Sequence, residues 1–149
     1  MGHRQIKLEN WIVDLGLEGR KAVIAGGSRG IGKAIARVLA REGVDMALVS
    51  RNEAELGATA AEIAGESGRR VVAISCDVTS RTGVESMIAE ASGSLGGLEI
   101  LINSASAPGG SPSAIGAIED IVDADFLSDF DTKYMGSLRC TRAAIPLMK

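Results

Sequence analysis

The chain is poor in the residues that anchor several kinds of protein. Two cysteines, Cys76 and Cys140, with no Cys-x-x-Cys spacing, do not make a disulfide framework, and one histidine, His3, adds no zinc site. Both thiols are expected as small buried apolar residues. Aromatic residues are only 3% of the chain while glycine and alanine are plentiful, which favours close helix-on-sheet packing over an aromatic core. The net charge is −3 with its signs interspersed. No basic stripe therefore suggests nucleic acid, and no polybasic tract suggests a membrane surface. The longest apolar runs, such as residues 98–102, fall far short of a bilayer span, and the N-terminus carries no signal-peptide core, so a cytoplasmic location is expected. What remains is a chain of 149 residues, 46% hydrophobic and 23% charged, the composition of one domain able to bury a core.

Periodicity organises that core. Lys21-Ala-Val-Ile-Ala25 reads as a short apolar strand, after which Ile31, Ala34, Ile35, Val38 and Leu39 recur at helical spacing until Gly43. A second strand is expected over 44–49, an Ala- and Glu-rich helix over 52–67 closed by Gly68, and a β-branched third strand over 70–76. Residues 80–92 give a helix weakened by Gly83, and 98–103 a fourth strand. Strands apolar on both faces belong in a parallel sheet covered on both sides. Right-handed crossovers then give an α/β, doubly wound parallel sheet of spatial order 3-2-1-4.

Beyond it, residues 104–117 hold Pro108, Gly109, Gly110 and Pro112 among serines and read as a mobile flap. A short helix is expected over 118–127. A long C-terminal helix follows over 129–149, with Phe130, Tyr134, Leu138, Thr141, Ile145 and Met148 along one face and Pro146 kinking or ending it. Residues 1–16 are a leader, whose Trp11, Ile12 and Leu15 are candidates to dock on the domain formed by 17–149.

The candidate chemistry begins in the turn Gly26-Gly27-Ser28-Arg29-Gly30-Ile31-Gly32. Glycines at relative positions one, five and seven let the backbone turn sharply, approach a pyrophosphate and start a helix whose N–H groups face the anion. A flexible turn is the competing reading of a glycine pattern alone, but this one lies between a strand and a helix, which favours nucleotide binding. The second strand ends in Ser50-Arg51, where an acidic residue would bond the ribose 2′-hydroxyl of NAD. Ser50 is not acidic, and Arg51 with Arg29 can flank a 2′-phosphate, favouring NADP over NAD; two solvated surface arginines are the alternative. Asp77, beside Val78, is placed to accept from an adenine amino group or to cap the following helix. Asn103 can shape the nicotinamide-ribose wall or serve as a turn asparagine.

This constellation resembles the short-chain dehydrogenase/reductase family over residues 17–148. The family's TGxxxGIG turn matches Gly26, Gly30, Ile31 and Gly32, with Ala25 in place of threonine; its Asp-Val pair matches Asp77 and Val78. Its NNAG motif appears as Asn103-Ser104-Ala105-Ser106, so Asn103 and Ala105 carry over while Ser106 departs from glycine. The resemblance implies a Rossmann-like fold, an NADP-dependent oxidoreductase acting on a carbonyl or alcohol, and a homo-oligomer. A catalytic asparagine of the family stands three residues before the glycine matched by Gly136, where this chain has Lys133. Lys133 is either a proton-relay residue or, the reading favoured, a helix surface residue.

The family's proton step uses a Tyr-x-x-x-Lys pair, because a phenol titrating near 10 needs a neighbouring cation. The single tyrosine here, Tyr134, is followed four residues later by Leu138, so no catalytic residue is assigned and Tyr134 reads as core or interface packing. The simplest expectation is a cofactor-binding part truncated before that motif and inactive alone, with the sheet incomplete and its fourth strand an uncovered edge that invites self-association. A non-catalytic nucleotide-binding or regulatory module is the alternative.

Overall fold

The computed structural model describes residues 15–106 and 116–148. The leader up to residue 14 and the centre of the proposed flap, including Pro108, Gly109, Gly110 and Pro112, lie outside the described residues. Leu15 is 57% exposed, so it is not docked.

Four parallel strands form one sheet in the order β3-β2-β1-β4, as expected. They are β1 (Lys21–Ala25), β2 (Asp45–Ser50), β3 (Val71–Ser75) and β4 (Ile100–Asn103). The pleat sends alternate side chains to opposite faces. Ala22, Ile24, Met46 and Leu48 join one buried cluster, while Val23, Ala25, Ala47 and Val49 join the other. Each central strand thus needs apolar residues at every position, the pattern of a sheet covered twice. Burying a side chain such as Leu48 or Ile24 completely contributes about 1.5–3 kcal/mol.

Helices α1 (Gly30–Arg41) and α2 (Glu53–Ser67) cover the first face; α3 (Arg81–Leu95) and the C-terminal helix cover the second. Caps set their ends. Asn52 Oδ1 accepts from the Glu55 N–H and Ser80 Oγ from the Gly83 N–H, while Gly68 and Gly96 close α2 and α3 in the left-handed conformation. Gly83 therefore sits in a capped first turn instead of weakening the helix interior. Helix α3 runs to Leu95, past the expected end at 92, because Leu95 is buried and the left-handed stop comes at Gly96.

The C-terminal helix is more segmented than its sequence suggests. A 3-10 turn at Ile118–Asp120 precedes α4 (Asp123–Phe130); a π-helical turn, Asp131–Met135, joins α4 to α5 (Gly136–Ala144), and a 3-10 turn over Ile145–Leu147 carries Pro146 at the helix end. The face expected to be apolar and packed is not the packed one. Phe130 and Tyr134 stack on each other at 4.9 Å and stay exposed, as does Ile145, whereas Gly136, Cys140 and Ala144 are buried. Close approach explains the choice: a Cβ on Gly136 would lie 2.8 Å from Val78 Cγ2. Tyr134 is accordingly not a core residue.

Strand β4 pairs with β1 alone among the named strands, leaving its other side as a sheet edge. Just before β4, Leu98 forms a parallel bridge with Met148, the one isolated bridge among the described residues.

Candidate functional site

The strands all end on one side, and there a cleft of about 620 Å³ opens. Its floor is the glycine turn. Hydrogen bonds from the Gly26 and Gly27 N–H groups to the Val49 carbonyl tie the turn to β2, at 2.8 and 3.1 Å. Gly26 has φ +86°, and a Cβ there would overlap the Ser104 carbonyl. A Cβ on Gly32 would overlap the Gly26 carbonyl. These two glycines are thus required by contact, the first against the segment after β4 and the second where α1 starts under the turn. Gly30, with φ +54° and open space around it, is required by conformation. Helix α1 begins here with Arg29 at its N-cap and no acidic residue in its first turn, so its N-terminal partial charge is left positive.

Helix α2 holds the turn from above. Thr59 Oγ1 donates to the Ser28 carbonyl at 2.8 Å, and Ser28 Oγ donates to the Glu55 carboxylate at 3.2 Å. Ser28 is buried, yet borders the cleft. Ser50 and Arg51 from the end of β2 line the same cavity, with Arg29 across the turn.

At the end of β3, Asp77 Oδ1 accepts from both the N–H and the Oγ1 of Thr79, at 2.9 and 2.8 Å. Those bonds from Thr79 hold the Asp77 carboxyl below its usual range against the pull of burial, with help from the Arg51 and Arg139 charges. Asp77 does not cap α3; Ser80 does. Cys76 is only half-buried and lines the cleft, unlike the fully buried Cys140, which corrects the expectation that both thiols are buried. Burial and the neighbouring Asp77 raise the Cys76 thiol, and burial pushes Cys140 to about 11.

Of the twelve residues proposed from sequence, Gly26, Ser28, Arg29, Gly30, Ile31, Ser50, Arg51, Asp77, Val78 and Ala105 line this one cleft. Gly32 lies beneath it. Asn103 is exposed at the end of β4 and turns away, its Nδ2 donating to Thr141 Oγ1 of α5 at 3.3 Å. Asn52, Glu55 and Thr132 also line the cleft and were missed. The pattern Asn52-x-x-Glu55 is a capping-box signature and marked the first two as the start of α2. Thr132 had no local signal: it arrives on the π-helical turn, a widening that re-aims side chains. Arg139 anchors that turn, its Nη2 donating to the Asp131 carboxylate at 2.7 Å and its Nη1 to the Val78 carbonyl at 3.4 Å. Lys133 is not a cleft residue; its ammonium meets the Asp129 carboxylate one turn back at 3.0 Å.

The lining of the cleft can hold an anionic group at the glycine turn. A glycine-lined floor under a helix N-terminus admits a pyrophosphate, Arg29 and Arg51 offer charge at one end, and Asp77 with Val78 offers an acceptor beside an apolar wall. Among the described residues no cluster of metal-ligating side chains occurs, and no helix is long and apolar enough to cross a membrane.

Comparison with known proteins gives a consistent result. The family model described as short chain dehydrogenase matches residues 20–149. The 3-oxoacyl-(acyl-carrier-protein) reductase of Bos taurus is 37% identical over 125 residues, which are 84% of this chain and 49% of that protein. The 3beta-hydroxysteroid dehydrogenase of Mediterraneibacter gnavus is 30% identical, over 85% of this chain and 44% of its own. Among solved structures, L-sorbose reductase from Gluconobacter frateurii, complexed with NADPH and L-sorbose, superposes with a TM-score of 0.80 at 33% identity, over 90% of this chain and 49% of that one. The chain spans about half the length of the curated relatives it matches.

Proposed function

This chain belongs to the short-chain dehydrogenase family, and from that premise we propose that it is the cofactor-binding part of an NADP-dependent oxidoreductase. The reaction is hydride transfer between NADP(H) and a carbonyl or alcohol. Residues 17–149 are the dinucleotide-binding domain and residues 1–16 a leader. The protein acts in the cytoplasm as a homo-oligomer on a small-molecule substrate.

The observation that carries this reading is the convergence of the glycine turn with Arg29, Ser50 and Arg51 on one cleft. The dinucleotide, when bound, supplies the hydride. This chain's residues bind and orient it. Gly30, with open space at its Cβ position, keeps a side chain off the pyrophosphate path, Gly26 and Gly32 let the turn close against the Ser104 segment and over the start of α1, and the N-terminus of α1 offers donors to the pyrophosphate. Arg51 and Arg29 flank the 2′-phosphate, with Ser28 and Ser50 as hydroxyl donors. Asp77 and Val78 form the adenine wall, and Ala105 and Ile31 face the ribose and nicotinamide end, with Asn103 set behind them through its bond to Thr141. None of these groups performs the proton step, and these 149 residues contain no Tyr-x-x-x-Lys pair. The chain by itself is therefore expected to bind NADP(H) without turning over.

Fluorescence titration with NADPH and NADH tests the assignment. Arg51→Ala is expected to weaken NADPH about tenfold or more while changing NADH little, the loss of a charge-assisted bond to the phosphate. Equal affinity of the unaltered protein for both dinucleotides would refute the NADP assignment. Binding of NADPH with no oxidation of it by any member of a carbonyl panel, in the protein that carries this chain, would leave the alternative of a nucleotide-binding module.

A further inference from the structure

The phosphate end of the cleft contains a group of the wrong sign. Glu55, in the first turn of α2, lines the same cavity as Arg29 and Arg51, and its carboxylate accepts the hydrogen bond of the Ser28 hydroxyl at 3.2 Å. Ser28 lies inside the glycine turn and is only 6% exposed. Its hydroxyl has one proton to donate. While Ser28 donates that proton to Glu55 it is withheld from an anionic ligand, and the carboxylate repels any second anion brought alongside.

The rest of the geometry separates this role from a structural one. Glu55 and Thr59 stand one helical turn apart on the same face of α2, and both reach Ser28. Thr59 Oγ1 holds the Ser28 backbone carbonyl at 2.8 Å, and the Gly26 and Gly27 N–H groups hold the turn to Val49. The turn is thus fixed by three hydrogen bonds that do not involve Glu55. Nor does α2 need the Glu55 carboxylate for its start: it is the Glu55 backbone N–H that Asn52 caps.

We propose that Glu55 sets the strength of cofactor selection, resting on the NADP reading above: its carboxylate competes with the 2′-phosphate for the Ser28 hydroxyl and for the field of Arg29 and Arg51, holding affinity for the phosphorylated dinucleotide below what the cleft otherwise supports. A ligand without that phosphate does not meet the competition. On binding, Ser28 Oγ rotates its proton from Glu55 to the phosphate oxygen, and the carboxylate returns to solvent.

The test is titration of NADPH, NADH and adenosine 2′,5′-bisphosphate against the protein and against Glu55→Gln, Glu55→Asp and Thr59→Val. Glu55→Gln keeps the shape and removes the charge, and is expected to tighten NADPH and the bisphosphate about fivefold while leaving NADH within about twofold, the effect of one charge at a partly exposed site. Glu55→Asp keeps the charge but draws it one methylene back from Ser28, and is expected to raise the NADPH-to-NADH affinity ratio by less than Glu55→Gln does, about twofold. Thr59→Val loosens the turn itself and is expected to weaken all dinucleotides alike. If Glu55→Gln leaves NADPH affinity unchanged, or weakens NADPH and NADH equally, Glu55 is structural and the proposal falls while the NADP reading stands. If the unaltered protein does not distinguish NADPH from NADH and Arg51→Ala changes neither, the NADP reading falls and the proposal with it. Should Glu55→Gln fold poorly, Glu55→Ala decides: a bisphosphate-to-NADH affinity ratio that does not rise also overturns the proposal.

Discussion

Two glycines of this chain share a left-handed backbone but differ in what surrounds them, and comparing alanine at each isolates the contact that shapes the cleft. Gly68 closes α2 with φ +68° and nothing within 4 Å of a Cβ. Gly26 has φ +86°, and its Cβ would overlap the Ser104 carbonyl and lie 2.7 Å from the Ala105 nitrogen. The left-handed conformation costs an L-residue about 1–2 kcal/mol, a term common to both. Only at Gly26 is overlap added, about 1–3 kcal/mol for forcing volume into a packed site. The opposing atoms there are backbone, and the Ser104 N–H is itself bonded to the Ala25 carbonyl at 2.8 Å, so the segment cannot yield without breaking the end of the β1–β4 pairing. Gly68→Ala is therefore expected to lower stability by about 1 kcal/mol and Gly26→Ala by about 3 kcal/mol. For a chain of this length these correspond to melting shifts of about 3 °C and about 10 °C. Urea unfolding with an unchanged slope for both variants measures the difference, and NADPH titration of the folded protein checks its consequence. Gly26→Ala should lose measurable affinity, because the turn and the Ser104-Ala105 segment move apart. Gly68→Ala should keep it. Equal destabilisation by the two substitutions would refute the argument that contact, not conformation alone, requires glycine at the head of the turn.

Two other consequences follow from charge and topology. Burial works to raise the Asp45 carboxyl, but its hydrogen bonds from Lys21 and the Arg70 N–H and the charges of Lys21 and Arg69 outweigh this and hold it lowered. A carboxyl lowered on folding stabilises above its unfolded value, near 3.9, and ceases to do so as pH falls through the folded value. Asp45→Asn is thus expected to be less stable than the unaltered protein at pH 7, with the difference shrinking below about pH 4 in parallel melting curves; a difference independent of pH would contradict the ion-pair account. Strand β4 keeps an open edge beyond the Leu98–Met148 bridge, so light scattering of the chain should show association that grows over a tenfold range of concentration. A stable, cooperative monomer throughout that range would refute it.

What the sequence made legible follows the reach of its signals. Strand β1 was readable to the residue because Ala22, Val23, Ile24 and Ala25 are all buried, two toward each face, and Lys21 and the Gly26-Gly27 pair bound the run. Helix α2 was readable because Asn52 and Gly68 carry its ends in their own chemistry. The glycine turn, Arg51, Asp77 and Ala105 were readable because parallel strands deliver their ends to one side, so local motifs sum to one cleft. Glu55 and Thr132 were not, since what makes them cleft residues is contact with segments far away in sequence. The C-terminal helix shows the same limit from another side. Hydropathy alone selects Phe130 and Tyr134 as the buried stripe, yet the helix lies so close to Val78 that only small residues fit between them. Size decides there, not apolarity: Gly136, Cys140 and Ala144 are buried because they permit the approach, and the aromatic pair faces outward because no space remains on the inner side. The same approach brings Arg139 within reach of the Val78 carbonyl and sets Thr132 at the cleft wall. A small residue at position 136 is therefore a condition of the binding cleft as well as of packing: Gly136→Leu would push the helix off Val78 and remove that wall, even though leucine is the better helix former.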